Sequence, residues 1–249
     1  MTKINVSAVS YLNTKPLLYG LQLQQLDTSL FNITLETPAK CAESLLNGRS
    51  TIGLVPVAMI HNIPKATIIT DYCIGSVGEV KTVMLYSNQP VEDIRTIFLD
   101  SHSRTSALLV RILCKYYWKT TPTFINNVVT EELSISKLEG LLMIGDKTIG
   151  VEQKYAYTYD LASHWTKMTG LPFVFAAWIT TQPVDRAVIQ QMNSAFKQGI
   201  AHIEELVATL PPSDFDLLTY FQENISYQLD AKKKEALNLY WDMCKEIGF

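Results

Sequence analysis

Lys3-Ile4-Asn5-Val6-Ser7-Ala8-Val9, running on into Ser10-Tyr11-Leu12-Asn13-Thr14-Lys15-Pro16-Leu17, is the stretch on which the reading of this chain turns. Polar and apolar residues alternate as far as Val9, the period of two that a half-buried strand requires. Hydroxyl and amide groups then crowd into one turn, and Pro16 falls where a helix opens and its missing N–H costs nothing. A strand that ends in polar side chains and feeds a helix N-terminus is where open α/β sheets bind ligands. That makes Ser10, Tyr11 and Asn13 candidate site residues. An ordinary strand-to-helix turn capped by Ser or Asn has the same spacing.

The rest of the composition bounds the class. At 249 residues, 47% hydrophobic and 18% charged, the chain can build a sizeable core, as one large domain or two lobes. No Pro/Gly/Ser-rich linker, low-complexity tract or repeat divides it. A net charge of −3 without a basic stripe argues against a nucleic-acid partner. The N-terminus lacks a basic region followed by an apolar run, and no stretch approaches the ~20 apolar residues of a membrane span, so the expectation is a cytoplasmic protein with no membrane partner. Cys41, Cys73, Cys114 and Cys244 are scattered among apolar neighbours, as buried thiols are. His61, His102, His164 and His202 stand in no metal-ligand spacing, and there is no Gly-x-Ser-x-Gly elbow, P-loop or Gly-x-Gly-x-x-Gly.

Strand and helix patterns alternate along the chain. Strands are expected at Phe31 to Glu36, Thr51 to Val55, Ala66 to Ile74, Val80 to Tyr86, Thr96 to Leu99, Phe124 to Val128, Leu141 to Ile144 and Phe173 to Thr180. Helices are expected from Pro38 to Leu46, from Ser103 to about Trp118, and from Asp160 to Gly170. Three more fill the C-terminal part: Val184 to Leu210, Asp214 to Glu223, and Ala231 to Glu246. The cluster Tyr116, Tyr117 and Trp118 reads as core. Such alternation implies an α/β fold of parallel sheets with helices on both faces.

Ser10-Tyr11-Leu12-Asn13-Thr14-x-Pro16-Leu17 resembles the opening of the chorismate dehydratase family of the futalosine route to menaquinone. Four later blocks resemble that family in its own order: Gly53-Leu54-Val55-Pro56-Val57, Ser103-Arg104-Thr105-Ser106, Ile144-Gly145-Asp146, and Thr169 to Trp178. Beyond about residue 180 no motif is shared. The resemblance implies a two-lobed, periplasmic-binding-protein-like fold of type II with two crossover strands and a helical C-terminal part. Lobe one is expected at 1–86 plus 178–249 and lobe two at 87–177, with Val83 to Tyr86 and Phe173 to Ala177 as the crossing strands. Alternation by itself fits a single doubly wound domain equally well.

The remaining candidates lie on loops of that expected cleft. Ser103, Arg104, Thr105 and Ser106 open a helix whose first turn offers unpaired N–H groups and a partial positive charge. Three hydroxyls and a guanidinium added there make a carboxylate or phosphate site, and the resemblance assigns the block to substrate binding; a plain capping turn with Arg104 in solvent is the alternative. Asp146 after Gly145 can hold a ligand hydroxyl or simply complete a turn. Thr82 stands where the family tends to carry Ser, and with Asn13 it is taken as catalytic. Ser76 presents a hydroxyl to an anion or shapes a Gly-rich turn, and Pro56 walls the cleft or packs in the core.

The activity implied by the resemblance is loss of water from chorismate. The C3 proton and the C4 hydroxyl leave, and the ring aromatises to 3-[(1-carboxyvinyl)oxy]benzoate. The C3–H is vinylogous to the ring carboxylate, so a stepwise elimination needs no cofactor and no metal. No site block contains His, Glu or Cys. The base is therefore either the enolpyruvyl carboxylate of the substrate, oriented by Asn13, or Asp146. Two rival functions remain: 1,4-dihydroxy-6-naphthoate synthase of the same pathway, whose opening motif differs, and a non-catalytic solute-binding protein. The oligomeric state is not legible.

Overall fold

The computed structural model describes residues 3–130 and 133–249 of the chain. The chain first lays down β1 (Ile4–Val9), β2 (Phe31–Glu36), β3 (Ile52–Pro56) and β4 (Thr67–Ser76). It then builds a second sheet from β5 (Val83–Ser87), β6 (Thr96–Asp100), β7 (Thr123–Val128), β8 (Glu139–Ile144) and β9 (Tyr157–Asp160). β10 (Phe173–Thr180) and β11 (Ser226–Gln228) return to the first. The sheets run β11-β4-β10-β3-β1-β2 and β7-β6-β8-β5-β9.

Both sheets are mixed, where the sequence pattern implied parallel ones. β1 pairs in parallel with β2 and β3, and β6 with β7 and β8. β10, however, runs antiparallel to β3, and β5 antiparallel to both β8 and β9. A parallel neighbour needs a crossover that returns the chain to the same end of the sheet, and β5 and β10 follow passages from one sheet to the other instead. In β1 the alternation governs only the first residues: from Val6 onward both faces are covered, and buried Ser7 donates its hydroxyl to the Cys41 carbonyl (3.4 Å).

Two compact units result, one of residues 1–75 and 174–230, the other of residues 76–173 and 231–249. These limits differ from those drawn at 86/87 and 177/178. β5 hydrogen-bonds to β8 and β9 and so belongs to the second sheet. The C-terminal helix Ala231–Glu246 belongs to the second unit as well, because its Tyr240 is buried edge-on to Trp165 and Phe173 and donates its hydroxyl to the Thr105 carbonyl (3.0 Å). The chain therefore passes between the units three times, the last time after Asp230.

Other local readings shift for identifiable reasons. The helix Thr105–Ile112 continues as a π-helix, Leu113–Trp118, and stops at Lys119 in the left-handed region (φ 57°). Tyr116, Tyr117 and Trp118 are not core: Tyr117 is exposed and the other two are half-buried. Tyr117 and Trp118 pack with Tyr159 around His164, whose Nδ1 meets the Asp160 carbonyl at 2.8 Å and whose pKa burial pushes down. All four cysteines are buried and free, and burial raises the Cys41 thiol to about 12 and Cys114 to about 11. No helix among the described residues is long and apolar enough to cross a membrane.

Two contacts fix the segments that carry the candidate residues. In the first unit the helix Lys15–Leu23 lies backbone to backbone on the helix Arg186–Ala201. A Cβ on Gly20 would overlap the Ala195 carbonyl, and one on Gly199 would overlap the Pro16 carbonyl. In the second unit the buried Asp160 caps the helix Leu161–Thr169 by accepting from Ser163 N (3.0 Å), and its other oxygen accepts from Val80 N (2.9 Å) and Lys81 N (2.7 Å). That carboxylate ties down the segment between Ser76 and Thr82.

Gly199→Ala should therefore lower the melting temperature by roughly 3–10 °C, the range for overpacking a site whose neighbours are backbone. Differential scanning calorimetry decides it; an unchanged value would mean that the two helices separate freely. Asp160 gives a pH prediction. Burial raises its pKa above the ordinary 3.8, against the pull of its three backbone N–H donors, with Glu79 adding to the rise. A group raised in the folded state takes up protons on folding, so its contribution is greatest below the unfolded value and is lost as pH rises through the folded one. Urea titrations from about pH 3 to 6 should show wild type losing stability relative to Asp160→Asn as pH rises. The opposite slope would mean that the N–H donors outweigh burial.

Candidate active site

In the first unit the polar turn grows directly out of β1. Ser10 N continues the ladder to the Glu36 carbonyl (3.0 Å), Tyr11 stays extended, and a single 3₁₀ turn, Leu12–Thr14, leads into the helix Lys15–Leu23. Thr14 is buried and donates its hydroxyl to Asn13 Oδ1 (3.2 Å), which leaves the amide N–H groups of half-buried Asn13 to meet a ligand. β1 and β3 are parallel with Ser7 opposite Gly53, so the register carries Ser10 level with Pro56. Ser10, Tyr11, Asn13 and Pro56 thus share the carboxyl edge of neighbouring parallel strands, the edge at which such sheets bind ligands. Pro56 is itself buried.

The second unit gathers the other candidates in the same way. Leu99 of β6 lies opposite Leu142 of β8, so Ser101 to Ser106 and Gly145-Asp146 emerge from one carboxyl edge. Thr82, just before β5, joins them: Gly145 N donates to its carbonyl at 2.8 Å, and its side chain is buried. Gly145 has φ 75° and ψ −162°, a conformation essentially confined to glycine, and it turns the chain into the short 3₁₀ helix Asp146–Thr148. Asp146 is half-buried. Ser76 ends β4 fully buried, and its hydroxyl has no hydrogen-bond partner among the described residues.

Arg104 does not reach outward as a free arm. Its Nη1 donates to the carbonyls of Ser103 (2.8 Å) and Ser101 (3.1 Å), bracing the loop and leaving the remaining guanidinium N–H groups for a ligand. Ser103 Oγ accepts from Ala107 N (3.0 Å) and so closes the first turn of the helix. Ser103, Thr105 and Ser106 are all buried. The Ser103 hydroxyl and the guanidinium are thus fixed by the loop before any ligand arrives.

One residue that organises this edge was missed in the sequence. Asp100, 1% exposed, accepts from His102 N (2.9 Å), Ile144 N (3.1 Å), Thr130 Oγ1 (3.3 Å) and Lys147 Nζ (2.8 Å). A buried aspartate is almost always paired, which was the available signal, but nothing in the sequence says that the partner lies 47 positions away. Among the described residues no three His, Cys, Asp or Glu side chains gather as a metal site.

Comparisons with known proteins agree with this architecture. A curated chorismate dehydratase of Thermus thermophilus is 26% identical over 256 residues, 92% of this chain and 91% of that protein. Among solved structures, a protein of Archaeoglobus fulgidus superposes with a TM-score of 0.68 at 14% identity, over 99% of this chain and 98% of its own. The periplasmic aliphatic sulphonate-binding protein of Escherichia coli superposes at 0.59 and 11% identity, over 99% and 92%. The fold is thus the periplasmic-binding-protein-like α/β fold. A family model described as menaquinone biosynthesis matches residues 4–246, and with nearly the whole length matched the chain belongs to that family.

Proposed function

We propose that this protein is a chorismate dehydratase, converting chorismate to 3-[(1-carboxyvinyl)oxy]benzoate and water. One observation carries the reading. The polar blocks that resemble that family are far apart in sequence, and within each unit they come together at the carboxyl ends of parallel strands. The likeness to the Thermus thermophilus chorismate dehydratase over nine-tenths of both chains supports it.

The reaction breaks the C3–H and C4–O bonds and forms the last ring double bond, so no electrons enter or leave and no redox cofactor is required. The enolpyruvyl carboxylate takes the C3 proton, the electron pair passes through the ring toward its carboxylate, and the C4 hydroxyl departs with a proton as water. Asn13 orients the enolpyruvyl carboxylate through its amide N–H groups. Thr82, beside Gly145-Asp146, orders the edge nearest the leaving hydroxyl, with Asp146 as the competing base. The helix start at Ser103 to Ser106, with the free N–H groups of Arg104, receives a substrate carboxylate.

Purified protein given chorismate, without added metal or nucleotide, should release the carboxyvinyloxybenzoate, read by chromatography and absorbance. Tight binding with no turnover would make the chain a solute-binding protein instead. Asn13→Asp replaces a donor with a charge beside a carboxylate, and turnover should fall by at least about two orders of magnitude, the scale of losing one well-placed donor at a reacting centre. Asp146→Asn should retain clear residual turnover. If Asp146→Asn is instead inactive while still binding chorismate, and Asn13→Asp stays active, Asp146 is the base.

A further inference from the structure

We infer that Asp100 and Lys147 are a positioning pair: their buried ion pair locks the Ser103–Ser106 helix start and the Gly145-Asp146 turn into one arrangement, and ligand binding at that edge depends on it. The inference rests on the proposed function for its ligand, chorismate, and on geometry alone for its mechanics. Neither residue falls in a block that resembles the family.

The geometry joins three strand ends through one side chain. Asp100 is itself the end of β6, Thr130 follows β7, and Ile144 ends β8, adjacent strands in the order β7-β6-β8. Asp100 Oδ1 accepts from His102 N, immediately before Ser103, and from Lys147 Nζ at 2.9 Å. Oδ2 accepts from Ile144 N, immediately before Gly145, from Thr130 Oγ1, and from Lys147 Nζ at 2.8 Å. Every contact is a donor, which is what an ionised, acceptor-only carboxylate needs. The Lys147 side chain is 13% exposed and that of Asp100 is 0% exposed, so the pair lies largely out of water. Lys147 sits in the 3₁₀ turn Asp146–Thr148, so pulling its ammonium toward Asp100 also sets where Asp146 lies.

A stabilising role alone does not account for this choice of residues. Desolvating two charges is costly, and apolar side chains of similar volume often stabilise a core as well or better. Apolar packing is non-directional, whereas the two oxygens of one carboxylate fix the approach of each N–H they receive. The double substitution Asp100→Leu with Lys147→Met removes both charges together with the shared acceptor, and Lys147→Met against Lys147→Arg provides a second test that keeps Asp100 in place.

The measurements are melting temperature, chorismate kinetics, and amide hydrogen exchange at residues 101–107 and 144–148. Lys147→Met should raise the KM for chorismate by about 10- to 100-fold, the range for losing a charge-assisted contact, and speed exchange in both segments together. Lys147→Arg, which keeps charge and donors, should recover at least about half of that loss on a logarithmic scale. The double variant should melt below wild type, because the N–H groups of His102 and Ile144 lose their acceptor, and should keep the raised KM with fast exchange confined to the two segments. Wild-type KM and exchange in the double variant, or faster exchange spread evenly over the whole chain, would overturn the pairing. If wild type itself does not turn chorismate over, the proposed function fails. Exchange still decides the pair: acceleration confined to the two segments supports it, and none overturns it.

Discussion

The carboxylate of Asp100 meets the Lys147 ammonium at 2.8 Å with little solvent around it, and the edge of the second unit that carries the candidate residues is arranged about that contact. Its backbone donors, His102 N and Ile144 N, sit one residue ahead of the two candidate loops. Those loops inherit fixed starting directions. Arg104 then braces its own loop through the Ser101 and Ser103 carbonyls, and Gly145 takes a backbone conformation closed to other residues. A second carboxylate, Asp160, holds the segment before Thr82 by the same means, accepting backbone N–H groups from a distant part of the chain.

The first unit solves the equivalent problem without charge. Its polar turn is held by the β1–β2 ladder on one side and by the helix Lys15–Leu23 on the other, and that helix is fixed by the close approach of Gly20 and Gly199. Close packing of this kind is insensitive to pH and salt, whereas the second unit relies on an ion pair and on Asp160, whose pKa burial raises. The units therefore differ in how their loops respond to conditions, although both present polar groups at the ends of parallel strands.

What could be read from the sequence follows from the range of the forces involved. β1, its turn and the Pro16 helix were legible because alternation, hydroxyl crowding and proline act within a few residues; β2 at Phe31–Glu36 and the helices Pro38–Leu46 and Ala231–Glu246 were read with their observed limits for the same reason. β11 is three residues long and exists only because β4 offers it an edge, and β9 is a tyrosine-rich segment that pairs with β5; neither carries a periodic signal. The long C-terminal helix read from Val184 to Leu210 is interrupted at His202, whose Nδ1 turns back to the Gln198 carbonyl. A helix was read at Ala231–Glu246 but not what covers it, so its place in the second unit was missed. Residues inside the motif blocks could be named as candidates from the sequence, and the residues that hold those blocks in place could not. Asp100 and Lys147 meet only because β6 and β8 are neighbours in the sheet.

Under the proposed chemistry this division of labour has an electrostatic reason. Chorismate carries two carboxylates and so does the product, so the site faces the same total charge before and after the reaction. What changes is where negative charge sits, as electron density from C3 moves through the ring toward its carboxylate. Adding cations would bind substrate and product alike and would not favour the elimination itself. Oriented dipoles can do so, because a fixed N–H or O–H favours charge at one place over another. The structure fits that demand: Lys147 is paired with Asp100, one Arg104 nitrogen is committed to carbonyls, and the groups left at the strand ends are amides and hydroxyls beside the remaining N–H groups of Arg104. In a chain of net charge −3, a dianion is under this proposal recognised by the direction of fixed donors more than by added positive charge, with those directions set by Asp100 and Asp160, which do not take part in the chemistry.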